Sequence, residues 1–154
     1  MRRFRSPHYF IAAISGAAAM TGQPALAQLG STLSVESGHA HGAVLHRSQT
    51  GQIAFRETVD AHGTIVRQYV NSSGEVYAVT WRGPTMPDIE ALLGAHFGRY
   101  RTGALSSQAY SGLHSSRVEE GDLIVESSVR LREFNGRAWL ARALPPGVAQ
   151  SDIE

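Results

Sequence analysis

The chain of 154 residues has no cysteine, which excludes a disulfide framework and thiolate chemistry. It has no lysine either. All 14 basic residues are arginine, so a lysine nucleophile or Schiff base is excluded. Gly-x-Ser-x-Gly is absent, and with it the strained elbow that exposes a hydrolase serine. No glycine-rich loop stands ready to cradle phosphate, because Gly94 and Gly98 fall within or at the end of a predicted helix. No apolar run reaches the ~20 residues that span a bilayer.

The N-terminus carries the clearest pattern that is present. Arg2, Arg3 and Arg5 precede an apolar run over residues 10–20, Pro24 follows, and Ala25-Leu26-Ala27 offers an A-x-A cleavage site. This order predicts a secretory signal peptide over residues 1–27, with a mature chain from Gln28 that works in the periplasm or outside the cell. Three of the 14 arginines would leave with it. Eleven then face 13 acids, so the formal charge passes from +1 to −2 and a nucleic-acid partner loses its electrostatic support. What remains is long enough for one domain with its own core and holds no transmembrane segment.

Residues 28–51 read as a lead-in, weakened by Gly38, Gly42 and Gly51, with Val44-Leu45 opening a short edge strand. Three strands follow at 53–59, 64–70 and 75–82. They are separated by Asp60-Ala61-His62-Gly63 and Asn71-Ser72-Ser73-Gly74, whose Asp, Asn and Gly suit tight turns. At Thr85-Met86-Pro87-Asp88 the period changes, and Ile89, Leu92, Leu93, Phe97 and Tyr100 recur at helical spacing. The helix is expected over about 86–100, with Gly98 as its stop. An irregular Ser/Gly loop covers 101–117. Strands are expected at 122–129, 131–134 and 137–141, with Asn135-Gly136 as a hairpin turn and residues 145–154 as an extended, partly frayed tail. The fold class is therefore α+β: a curved antiparallel sheet of five to six strands in a single domain over 52–144, with one amphipathic helix on one face.

Pairing Val59 with Thr64 and Val70 with Glu75 gathers Ile53, Phe55, Val59, Val66, Val70, Tyr77, Val79 and Trp81 on one face, where the helix should dock. Trp81 is then expected against Leu92, Leu93 or Phe97. The other face receives Arg56, Ile65, Arg67, Tyr69, Ala78 and Arg82, with Arg56 opposite Arg67. Arg56, Arg67 and Arg82 beside Tyr69 could hold a carboxylate or phosphate. The alternative is that Glu57, Glu126 or Glu133 neutralises them from a neighbouring strand.

Other constellations are weaker. His39, His41 and His46 are the nearest approach to a metal site, yet their spacing matches no standard ligand set and a solvated linker explains them better. Asp60 and His62 are accounted for as turn residues. Glu119-Glu120-Gly121-Asp122 lacks the alternating ligands of a calcium loop. No catalytic residue, metal or cofactor is called for.

Two separated blocks carry a family likeness. The first runs through Val66-Arg67-Gln68-Tyr69-Val70, Gly74-Glu75-Val76-Tyr77-Ala78-Val79, Trp81-Arg82-Gly83-Pro84, Pro87-Asp88-Ile89 and Leu92-Leu93-Gly94. The second contains Asp122-Leu123-Ile124-Val125 and Phe134-Asn135-Gly136-Arg137-Ala138-Trp139-Leu140. Together they resemble a family of small exported proteins of Gram-negative bacteria known only as a domain of unknown function. The resemblance implies a periplasmic setting and brings no activity or site residue. His96 departs from it, since an aromatic is expected there. The functional expectation is an exported, non-catalytic protein that binds an envelope partner or an anionic small molecule. An enzyme acting on an envelope polymer and a structural subunit of an envelope assembly are the alternatives.

Overall fold

The computed structural model describes residues 28–33, 44–48, 53–106, 110–112 and 114–154. The expected α+β class holds, with more strands than expected. Eight form one antiparallel sheet in the order β1-β2-β3-β4-β8-β7-β6-β5. They are β1 (Val44–Arg47), β2 (Ala54–Val59), β3 (Ile65–Val70), β4 (Val76–Gly83), β5 (Tyr110–Ser111), β6 (Ser115–Glu120), β7 (Leu123–Arg130) and β8 (Glu133–Leu140). Two four-strand meanders thus meet where β4 pairs with β8, and the helical segment connects them.

That segment begins where Asp88 caps it: its carboxylate accepts from Ala91 N at 2.9 Å. It comprises α1 (Ile89–Leu93), a 3-10 turn (Gly94–His96) and α2 (Phe97–Leu105). Gly98 does not stop it. The irregularity sits at Gly94 (φ +52°), where a Cβ would lie 2.3 Å from Gln28 Oε1. Nor is 101–117 one long loop, since it contains the end of α2, β5 and the start of β6. No helix among the described residues is long and apolar enough to cross a membrane.

The two early turns share one construction. Asp60 Oδ1 accepts from His62 N and Thr64 N at 2.8 Å each, and Asp60 N donates to Thr64 O. Asn71 Oδ1 accepts from Ser73 N and Glu75 N at 3.0 Å each, and Asn71 N donates to Glu75 O. Gly63 and Gly74 supply the positive φ that closes each loop. Three residues therefore lie between the closing pair, not four, and every register after such a turn slips by one. At the first turn Val59 pairs with Ile65, which turns the side chains of β2 over. At the second, a bulge at Tyr77 adds one further residue, so β3 and β4 from Ala78 onward keep the expected faces, while Tyr77 itself turns to the face opposite the one expected.

The core assignment is corrected accordingly. Val66, Val70, Val76, Val79 and Trp81 pack under the helices with Leu92, Leu93, Val125 and Ala138. Phe55 and Ile53 lie on the opposite face with Tyr69, Tyr77 and Trp139, and Val59 is 61% exposed. This second face is not open. Residues 145–154 fold back across it, and Ile153 is buried against Tyr69 and Trp139. The tail is therefore a packed element, not a frayed end. The lead-in is likewise partly structural: Leu29 is buried, and Thr32 bridges to Glu75.

Asn135-Gly136 is not a turn but lies within β8. The β7–β8 hairpin turns at Leu131 (φ +48°) and Arg132 (φ +70°) instead. Gly136 has a packing role: a Cβ there would lie 2.1 Å from Trp81 Cζ2. Its missing side chain is what lets the Trp81 indole pack over position 136, in one core cluster with Leu92 and Leu93.

Candidate binding site

On the tail-covered face one cross-strand row reads Glu57, Arg67, Thr80, Arg137, Glu126, Arg117 from β2 to β6. Each arginine in it meets a carboxylate. Arg67 Nε donates to Glu57 Oε2 at 2.9 Å, and Arg137 Nε donates to Glu126 Oε2 at 2.7 Å. Arg117 donates to both Glu126 and Glu119. Flanking the row, Arg82 Nε donates to Glu133 Oε1 at 2.7 Å. The hydrogen bond to Glu57 raises the Arg67 pKa above its ordinary value, and the contact with Arg82 holds the Glu133 carboxyl below its own. The guanidinium groups of Arg67 and Arg137 also sit 5.2 Å from the ring centres of Phe55 and Trp139.

The tail takes up further donors. Arg67 Nη1 donates to Glu154 O at 2.8 Å, and Arg137 Nη1 donates to Gln150 O at 3.0 Å. Tyr69 hydroxyl donates to Glu154 O and accepts from Glu154 N at 3.1 Å. Beside these contacts a cleft of about 710 Å³ opens over Thr80, Arg82, Asn135 and Ser128. Of the two glutamates that line it, Glu126 and Glu154, Glu126 is clamped between two arginines.

Of the four candidate residues, Arg67, Tyr69 and Arg82 share this face, and each is engaged by the protein itself. For Arg67 and Arg82 the neutralising arrangement is the one present, through Glu57 and Glu133, while Glu126 pairs with Arg117 and Arg137 instead. The sequence reading overlooked Arg117 and Arg137. The alternation Glu126…Ser128 and Arg137…Trp139 carries the signal, but it is legible only once Asn135-Gly136 is placed inside a strand.

Arg56 requires correction and is the more informative for it. The slipped register puts it on the helix-side face, opposite Gln68 and Leu45 instead of Arg67. It is 6% exposed. Its Nε has no hydrogen-bond partner, and among the described residues no carboxylate pairs with it. Removing a charge from water without a counter-ion costs several kcal/mol, on the order of what one buried ion loses in hydration.

Arg56 lies one strand in from the sheet edge. Ser48 N donates to Ile53 O at 2.8 Å, so Ser48 and Ile53 form a hydrogen-bonded pair. With the β1–β2 register, Val44 and His46 then direct their backbone groups at β2, while those of Leu45 and Arg47 point outward. Among the described residues no strand covers that edge. Val44 and Leu45 are 54% and 59% exposed. Leu45, Arg47 and Arg56 share the helix-side face.

The histidine cluster is not assembled by the described residues. His39 and His41 lie outside them, and His46 stacks on Phe55 with ring centres 4.9 Å apart. No group of three or more metal-ligating side chains occurs among the described residues. His96 abuts Gly30 and lies 3.2 Å from Arg99, whose Nη2 donates to Asp122 at 2.6 Å. Burial pushes the His96 pKa down, and the Arg99 contact pushes that of Asp122 down. This chain ties α2 to the β6–β7 turn, so the polar residue on the helix serves a structural link.

No curated protein and no solved structure matches the chain. A family model does match: that described as protein of unknown function (DUF2844) covers residues 25–153, and the chain belongs to this family.

Proposed function

We propose that this protein is exported and non-catalytic, and that it binds a partner protein of the cell envelope through the edge of β1 that no described strand covers. The observation that carries the reading is the outward-facing backbone of Leu45 and Arg47 beside exposed Val44 and Leu45. Natural sheets blunt or cover such edges, because they template pairing with another chain. Export is supported by the arginine-flanked apolar run and the Ala25-Leu26-Ala27 site, which lie outside the described residues. The enzyme reading gains little from the cleft, where Glu126 and each of the four lining arginines are already held in ion pairs.

Two measurements test the proposal. N-terminal sequencing of protein from the periplasmic fraction should start at Gln28. A chain that keeps Met1 in the membrane would overturn export. A photo-crosslinking residue placed at position 47 should give a discrete adduct in intact cells, and one placed at 131, on the β7–β8 turn, should not. Equal labelling at the two positions would remove the edge reading.

A further inference from the structure

Building on the edge reading, we infer that the partner presents an extended segment with an acidic side chain, and that this carboxylate is the counter-ion of Arg56. Arg56 is more than nine-tenths buried, its Nε has no hydrogen bond, and it has no ion pair among the described residues. Each of the five arginines Arg67, Arg82, Arg99, Arg117 and Arg137 meets a carboxylate. The other described arginines without an ion pair, Arg47, Arg101, Arg130, Arg132 and Arg142, are exposed to water, so Arg56 is the one described arginine that is both buried and unpaired, and it lies one strand in from the sheet edge.

The geometry fits. A strand added to β1 lies two strand spacings from β2, about 9.6 Å. The arginine side chain runs over several bonds of about 1.5 Å and crosses most of that span. An Asp or Glu side chain on the added strand closes the rest. The acid belongs opposite Leu45, or two residues away on the same face, because Leu45 and Arg56 are directly paired. Leu45 and Val44 supply apolar contact on the two faces, and the outward N–H and C=O groups of Leu45 and Arg47 supply the ladder. Arg47, on the same face and without an ion pair among the described residues, adds a second positive charge. A second copy of the chain is the wrong occupant. Antiparallel pairing of two β1 edges would bring the Arg56 and Arg47 of both copies to one seam, and like charges there repel.

Two fluorescein-labelled nine-residue peptides of alternating Val and Thr serve as probes, one with a central Glu and one with Gln in its place. Their binding to the purified protein is followed by anisotropy. The Glu peptide should bind at least tenfold more tightly, about 1.4 kcal/mol. Arg56→Met should abolish that preference without lowering the urea midpoint, since it removes a buried unpaired charge. Arg56→Gln provides a second variant with the same expected loss. Leu45→Pro should abolish binding of both peptides while keeping the β2 pairing, because the Leu45 N–H points outward.

Equal affinity for the two peptides, both lost in Leu45→Pro, would overturn the Arg56 inference and leave the edge reading standing. Binding that survives Leu45→Pro, or no binding of either peptide, would overturn the edge reading itself. A large fall in the midpoint for both Arg56 variants would make Arg56 structural and end the inference. So would a dimer in sedimentation that Leu45→Pro dissolves, because the occupant would then be a second copy.

Discussion

An alanine at position 136 tests the tightest contact in the core. The added carbon would lie 2.1 Å from Trp81 Cζ2, 2.3 Å from Cε2 and 2.8 Å from Glu126 O. Carbon atoms rest at about 3.5–4.0 Å from one another, so the indole would have to retreat by roughly 1.5 Å. It has no room for that. Trp81 is 3% exposed and packs with Leu92 and Leu93, which are fully buried. Its Nε1 makes no hydrogen bond, so packing alone sets its position. Overpacking of this kind costs about 1–3 kcal/mol, whereas the reduced freedom of the unfolded chain returns only about 0.4–1 kcal/mol. Gly136→Ala should therefore destabilise by about 1–2 kcal/mol, a fall of about 1 M in urea midpoint at the slopes usual for small domains. Trp81→Leu removes the ring atoms that clash. In that background only the 2.8 Å approach to Glu126 O remains, so Gly136→Ala should cost clearly less than in the wild type, which gives a coupling of about 1 kcal/mol or more between the two sites. A wild-type midpoint for Gly136→Ala, or strict additivity in the double variant, would refute the placement of the indole over Gly136.

Three further outcomes are expected. Ile153→Ala should cost about 2–5 kcal/mol by calorimetry or denaturant unfolding, because the tail is an element of the second core; a cost near zero would mean that residues 145–154 do not dock. Replacing Leu131-Arg132 with Asn-Gly should raise stability by about 1 kcal/mol, since both residues hold a positive φ that Asn and Gly adopt with less strain; a fall in melting temperature would contradict the turn geometry. His96, its pKa lowered by burial and by Arg99, resists protonation in the fold, so the unfolded chain binds the extra proton first and stability declines as pH falls below about 6.5. Asp122, held down by Arg99, contributes stability above the ordinary carboxylate range that is lost as pH falls through its lowered value. In urea midpoints measured against pH, His96→Phe should flatten the first decline and leave the second; an unchanged curve would remove His96 as its source.

How much of this was legible depends on the range of the interaction. The strands around Asp60 and Asn71, the helix start at Asp88 and the strand at β1 follow from local chemistry, and each is where the residues point. The faces were harder. The sequence shows that Asp60-Ala61-His62-Gly63 is a turn, but whether three or four residues separate the closing pair depends on which backbone N–H groups the Asp60 carboxylate accepts. That single residue of slip moved Phe55 and Arg56 to opposite faces from those expected. Asn135-Gly136 has the composition of a hairpin, yet Trp81, 55 positions earlier, needs the space above Gly136 and holds it in a strand.

By itself the sequence determined the class of the fold, the strands up to Gly83 with the helix start that follows them, and the absence of cysteine and lysine chemistry, because these depend on composition and on neighbours a few residues apart. Tertiary structure alone decided which arginines are answered by carboxylates and which are not. Glu57, Glu126 and Glu133 reach their partners only through strand pairing, and the tail reaches Arg67, Arg137 and Tyr69 only by folding back over the sheet. Arg56 stands apart because the charge of a residue is written in the chain, but its counter-ion is a matter of which strands the sheet brings side by side.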